Sequence, residues 1–151
     1  MAAFEKKSFS EVIRILGQNG ILGNESLLLL IKSNANLGRL GEARKLCSEL
    51  VALNPGNSYF YYLEASILIE LKEEDKAAES LRKALYIDND MALAHFLLGN
   101  LLRRKGLLKL AQKHYLNVLE RISEFTDDML IPLSDGLTAG YFRGAIQSLS
   151  R

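Results

Sequence analysis

Apolar residues recur along this chain at intervals of three and four, in blocks such as "SLLLLIKSNANL", "EARKLCSELVAL", "YFYYLEASILIEL", "DKAAESLRKALYI", "AHFLLGNLL" and "LAQKHYLNVLERI". That spacing puts one apolar stripe on a helix, and the blocks are separated by short glycine-containing or polar segments. It predicts helices over 24–37, 40–53, 58–71, 74–88, 92–105 and 108–123. No run alternates apolar and polar residues as a half-buried strand would, so the pattern predicts an all-α chain.

The blocks also repeat. Segments beginning at Asn24, Ser58 and Ala92 start 34 residues apart, and small residues then align in columns: Ala43, Ala77 and Ala111; Gly38, Lys72 and Gly106; Ile31, Ala65 and Gly99. Two amphipathic helices packed antiparallel need a small residue where their backbones approach, and a residue tolerant of positive φ where the first helix ends. Lys72 breaks the second rule, which predicts a mildly strained or differently shaped turn. The pattern resembles the tetratricopeptide repeat, whose 34-residue unit often has a proline at its thirty-second position. Pro55 stands there in the first unit and Asn89 in the second. The resemblance implies a fold of three helical hairpins, over residues 24–57, 58–91 and 92–124, within one folded domain.

Such units bury their faces only against neighbours, so the ends need covers. "SFSEVIRILGQNG" offers Phe9, Val12, Ile13 and Ile15 for an N-terminal covering helix within residues 1–23, begun by a serine cap and ended by glycine. After a linker over 125–134, the segment 135–151 places Leu137, Tyr141, Phe142, Ala145, Ile146 and Leu149 on one face of a capping helix, with Ser134 or Asp135 as its cap.

Composition narrows the chemistry. A net charge of +1 gives no overall field to draw nucleic acid or an anionic membrane, so any charged partner must be read locally. The acidic "ELKEED" and basic "RRKGLLK" fall at nearly equal repeat positions, Glu70 with Arg104 and Asp75 with Lys109, which predicts an edge of mutually compensating surface charges. The single Cys47 excludes an internal disulfide and suits a reducing, cytoplasmic setting, where it reads as a buried inert thiol. The "SLLLLI" run is too short to span a bilayer. His95 and His114, 19 residues apart, read as packing residues, and no metal-ligand spacing, cofactor motif or nucleophile beside a base is present. "SDGLTAG", residues 134–140, has the glycines of a phosphate-binding turn, but neither a preceding strand nor a following lysine. Its expected role is to begin the last helix.

In repeats of this kind the first helix of each unit lines the concave face through its second, fifth, ninth, twelfth and thirteenth positions. The resemblance therefore implies a peptide groove containing Lys32, Tyr59, Tyr62, Phe96, Asn100, Arg103 and Arg104, with Tyr62 and Phe96 as apolar anchors, Asn100 for a peptide backbone, and Lys32 with Arg103 or Arg104 for a carboxylate. The carboxylate clamp for chaperone tails is not reproduced, because Leu28, Leu93 and Leu97 stand where its polar residues would be.

The last third carries a second resemblance. Ala94, His95, Phe96, Leu98, Gly99, Asn100, Leu101, Arg104, Gly106, Ala111, His114, Asn117 and Leu119, followed by the block Ser134–Gly140, resemble the C-terminal repeat extension of CheR-type chemotaxis-receptor methyltransferases. Tyr141 stands where arginine is usual. The resemblance implies a non-catalytic interaction tail of an enzyme that moves methyl groups from S-adenosylmethionine to receptor glutamates, with chemoreceptors or signalling proteins as partners. The α/β pattern and glycine-rich turn of such a catalytic domain are absent from this sequence. A free-standing repeat adaptor and a structural spacer or oligomerisation element are the alternatives; the oligomeric state is not fixed by the sequence.

Overall fold

The computed structural model describes residues 3–16 and 23–149, and every regular element in them is helical. The helices are α1 (Ala3–Leu16), α2 (Asn24–Asn36), α3 (Leu40–Leu53), α4 (Ser58–Glu70), α5 (Glu74–Ile87), α6 (Ala92–Arg104), α7 (Leu108–Arg121) and α8 (Ala139–Leu149). From α2 to α7 they follow the spans set by the apolar periodicity. The chain divides into two compact units, residues 1–80 and 81–151.

In the first unit, α2 and α3 form one hairpin and α4 begins the next. Leu27, Ile31, Ala43, Cys47, Leu50, Phe60 and Ile67 make its core. Ala43 has no exposed surface, as expected of the small residue at a close helix crossing. The inter-repeat segment is held by side-chain amides: Asn54 Nδ2 donates to the Leu50 carbonyl at 2.9 Å, and Asn57 Oδ1 caps α4 by accepting from Phe60 N at 3.2 Å. Arg44 Nη1 reaches Glu73 Oε1 at 2.8 Å and holds its carboxyl below the usual carboxylate range. Ser80 Oγ on α5 donates to Glu64 Oε1 on α4 at 2.7 Å.

In the second unit α6 and α7 pair through Leu98, Leu101, Leu102, Ala111, Tyr115 and Val118, all buried. A methyl group at residue 99 would lie 2.7 Å from Tyr115 Cε1, so glycine there is what lets the tyrosine ring lie against the α6 backbone.

The three hairpin turns share one geometry. Gly38, Lys72 and Gly106 have φ of 78°, 65° and 80°, and the next residue's N–H returns to the carbonyl of Asn34, Leu68 and Leu102 respectively at 2.8–3.0 Å. This 6→1 bond closes the helix end whatever residue holds the left-handed position. Of the two expectations for Lys72 the strained turn is found and the differently shaped one is not: the shape is kept and the lysine carries the strain of a left-handed backbone. Lys72→Gly is expected to raise the unfolding free energy by about 0.5–1 kcal/mol, less than the full steric relief because glycine also loosens the unfolded chain. Urea denaturation checks it as a higher midpoint at unchanged slope.

Both terminal covers differ in detail from expectation. Helix α1 begins at Ala3, so Ser8 and Ser10 lie inside it and cap nothing, and Ile15 is exposed while Phe9, Val12 and Ile13 are half-buried. The expected glycine stop falls outside the described residues. At the other end Thr138, not Ser134 or Asp135, caps α8, its Oγ1 accepting from Tyr141 N at 3.1 Å. Ser134 is buried in the preceding loop, where its Oγ donates to the Ile131 carbonyl at 2.6 Å and accepts from Leu137 N at 3.0 Å. Asp135 and Gly136 turn the chain with φ of 56° and 94°. "SDGLTAG" is thus a self-bonded turn. Its last glycine has its own purpose: a side chain at Gly140 would meet the Asp127 carbonyl oxygen at 2.9 Å, the atom to which Gly140 N donates.

Candidate peptide-binding faces

The seven residues expected in a groove fall on the first helices of the repeats and divide between the units. In the first unit Lys32 Nζ of α2 lies 5.9 Å from the centroid of the Tyr59 ring on α4, a cation over an aromatic face. Tyr59 and Tyr62, one turn apart, stack with centroids 6.0 Å apart. All three are half-buried, with Tyr59 also packed against the core cluster. Together they form a firm amphipathic surface: two rings with phenol oxygens beside one ammonium.

In the second unit Phe96, Asn100, Arg103 and Arg104 lie on α6. Phe96 meets the buried Phe142 of α8 edge to face at 5.0 Å and Tyr115 of α7 at 6.2 Å, so much of its ring is already occupied by packing. Asn100 Oδ1 accepts from the Tyr115 hydroxyl at 2.7 Å, leaving its amide nitrogen as the donor end. Arg103 and Arg104 are exposed. Leu93, which the repeat register also placed on this face, is buried.

The histidines come together. His95 is buried and its Nε2 is 2.8 Å from the Asn89 carbonyl; its Nδ1 is 3.0 Å from His114 Nδ1. A carbonyl only accepts, so His95 donates from Nε2. When both rings are neutral, His95 Nδ1 is bare and accepts the proton of His114 Nδ1. Burial lowers the pKa of both rings; for His114 the neighbouring His95, Lys113 and Arg82 lower it further, to about 4. The pair is a neutral brace at neutral pH. Among the described residues no three metal-binding side chains come together.

The same Asn89 carbonyl also accepts from Arg121 Nε at 2.9 Å, so the segment entering the third repeat is clamped from both α6 and α7. Beside it Met91, Leu93, Arg121, Phe125 and Ile131 line a cavity of about 260 Å³. Neither clamp nor cavity has a sequence signal, because both depend on which side chains reach a carbonyl many residues away. Cys47 is fully buried, and burial pushes its thiol up to about 12, which makes it inert in the folded state.

The tetratricopeptide-repeat family model matches residues 35–101. Over that stretch, somewhat less than half of the chain, the sequence is similar to tetratricopeptide repeats. The segment falls within a fold common to several solved structures: MamA, with a TM-score of 0.70 and 20% identity over 81% of this chain and 71% of that one; the first such domain of Spaghetti (RPAP3) bound to the HSP90 peptide SRMEEVD, 0.65 and 19% over 85% and 94%; and the translocator chaperone SycD of Yersinia enterocolitica type III secretion, 0.67 and 19% over 87% and 91%. At these identities the likeness concerns the fold. No curated protein matches the sequence significantly. The comparisons support a tetratricopeptide-type fold and do not show a methyltransferase extension. No described helix is long and apolar enough to cross a membrane.

Proposed function

We propose that this chain is a non-catalytic protein-interaction module that holds a peptide on the first-helix faces of its repeats. The observation that carries this reading is the half-exposed cluster of Lys32, Tyr59 and Tyr62. Aromatic rings with polar ends are what interface anchors are made of, and the rings are held in place before any partner arrives. The domain of Spaghetti shows that this fold can hold a peptide. An acidic chaperone tail is not the expected ligand here, since Leu28 and Leu93 occupy positions that such a clamp needs polar.

The finer reading places the module at the C-terminus of an S-adenosylmethionine-dependent protein-glutamate methyltransferase, with chemoreceptors or their signalling partners as ligands. Its support is the match of Ala94–Leu119 and Ser134–Gly140 to that extension. The gene should then continue upstream with about 250 residues of helical and α/β sequence, the usual size of such a domain pair. A ribosome-binding site directly before Met1 would favour the free-standing adaptor instead.

Peptides from chemoreceptor cytoplasmic segments can be titrated against the protein by fluorescence anisotropy. Tyr62→Ala and Arg104→Glu are each expected to weaken the best binder by about tenfold or more, the size of an interface anchor's contribution. Unchanged affinities in both variants would remove the proposal in favour of a spacer.

A further inference from the structure

We infer that the cavity at the start of the third repeat binds a peptide segment that inserts a bulky apolar side chain flanked by lysine or arginine. All the residues that line it belong to the second unit. Its floor is apolar and buried: Met91 and Leu93 at the start of α6, Ile122 just past α7, and Ile131 in the loop before α8. At about 260 Å³ it is larger than the ~150 Å³ that admits a benzene ring to a protein interior, so an aromatic or leucine-sized side chain fits.

Two features distinguish this space from a gap in packing. Both of its walls are fastened. On one side His95 Nε2 and Arg121 Nε hold the Asn89 carbonyl at 2.8 and 2.9 Å. On the other, Ser134 Oγ holds the Ile131 carbonyl at 2.6 Å, and the ring of Pro132 fixes the backbone that follows. The cavity therefore exists before any occupant arrives, which reduces the ordering cost of binding. The second feature is Leu133 on the rim, with φ of 65° and 57% of its surface exposed. A left-handed leucine is strained, and this one does not offset the strain by burial. Strain held in that way marks a side chain kept in place for contact with something outside the fold.

The rim selects the occupant. Asp88 and Asp90 stand on it, both exposed, and among the described residues that line the cavity Arg121 is the one cation. The Arg121 side chain is 16% exposed and bonds inward to the Asn89 carbonyl and to Asn117, whereas Asp90 is 87% exposed. Lying 3.5 Å from Asp90, Arg121 offsets one carboxylate, and Asp88 keeps the mouth acidic. Anions such as nucleic acid or a fatty-acid carboxylate are disfavoured there, and a cation beside the inserted group is favoured. Met129 and Leu130, which precede the Ile131 wall in the chain, are 46% and 62% exposed, so a peptide has apolar surface to cover that a single small amine would not.

The full chain, labelled with nitrogen-15, is titrated by NMR with the end-blocked peptides GKFKG and GEFEG and with phenethylamine. GKFKG should shift the amides of Met91, Phe125, Ile131 and Leu133 and leave those of Tyr59 and Tyr62 in place, which separates this site from the peptide face of the first unit. GEFEG should bind about tenfold or more weakly, and GKFKG should bind more weakly as salt is raised. Phenethylamine, a ring and a cation without a chain, should bind several-fold more weakly than GKFKG. Asp88→Asn/Asp90→Asn should bring the two peptides within a few-fold of each other, and Ala92→Phe, which places a ring in the space, should abolish both shifts. Both aspartates are exposed, so their variant keeps the fold and tests the rim independently of Ala92→Phe. Absence of saturable shifts at Met91, Ile131 and Leu133, equal affinity for the two peptides, or phenethylamine as tight as GKFKG would each overturn the proposal. So would shifts of the same amides on raising the protein concentration alone, which would assign the cavity to a second copy.

Discussion

Replacing Arg143 by methionine is expected to lower the unfolding free energy by about 2–4 kcal/mol. Arg143 Nη2 donates to the carbonyls of Ile122 and Phe125 at 2.8 and 2.6 Å, and Nη1 to Asp127 Oδ1 at 2.7 Å. Charged hydrogen bonds contribute roughly 1.5–3 kcal/mol each where water is excluded, and a buried carbonyl left without its donor costs a comparable amount. Arg143 is about a third exposed and Asp127 mostly so, which discounts the ion pair and leaves the two carbonyls as the main contribution. Methionine keeps the apolar stem, so the loss reports hydrogen bonds rather than packing. Backbone bonds from Ile131 N to Leu137 O and from Ala139 N to Met129 O still hold the loop, so the expected result is faster hydrogen exchange in α8 together with a lower urea midpoint. An unchanged midpoint with unchanged exchange in α8 would show that the loop alone positions the cover.

The second large effect is acid lability from the histidine pair. Both rings have lowered folded-state pKa values, His114 to about 4, while in the unfolded chain a histidine titrates near 6.5. Below pH ~6.5 the unfolded state takes up protons that the folded state refuses, so stability falls as the pH drops, and the His114 part of the loss levels off once the pH is below about 4. The His114 shift alone corresponds to at most about 3 kcal/mol, somewhat less in practice because this ring is partly exposed. Two protonated rings would set N–H against N–H at the present 3.0 Å separation, so the contact can hold at most one extra proton. Asp88 and Asp90 favour charge on His95, but Arg121 opposes it, and desolvation outweighs them all. His114→Gln should flatten the stability profile between pH 4 and 6.5 while costing stability at pH 7. A profile equally steep with and without His114 would place the acid sensitivity in the carboxylates.

How far the sequence reached depended on the range of the interaction. Helix spans, the buried alanine column and the glycine turns are set by contacts within a few residues or by a 34-residue period, and both leave a visible pattern. The cap of α8 did not follow from the sequence, because Ser134, Asp135 and Thr138 all have capping chemistry and the choice belongs to the loop. Ser134 is drawn inward by the Ile131 and Leu137 backbone, which leaves Thr138 at the helix start. At the Lys72 turn the sequence left a strained and a differently shaped turn open, and the strained one is found because the returning bond from Glu73 N to Leu68 O fixes the geometry. At the candidate faces the register placed each residue on its helix, but not its degree of use. That Tyr115 holds Asn100 and that Phe142 sits on Phe96 depend on where α7 and α8 pack, and one residue's position in a repeat says nothing of that.

Cys47 lies between α3 and α4 without exposed surface, its Sγ 3.9 Å from the Phe60 carbonyl oxygen. Being the only thiol in the chain, and in the first unit alone, it turns the molecule into its own clock. A thiol-selective reagent can react only when that core parts, so the labelling rate at increasing reagent concentration measures how often the first two repeats breathe, with no added probe and no signal from the second unit.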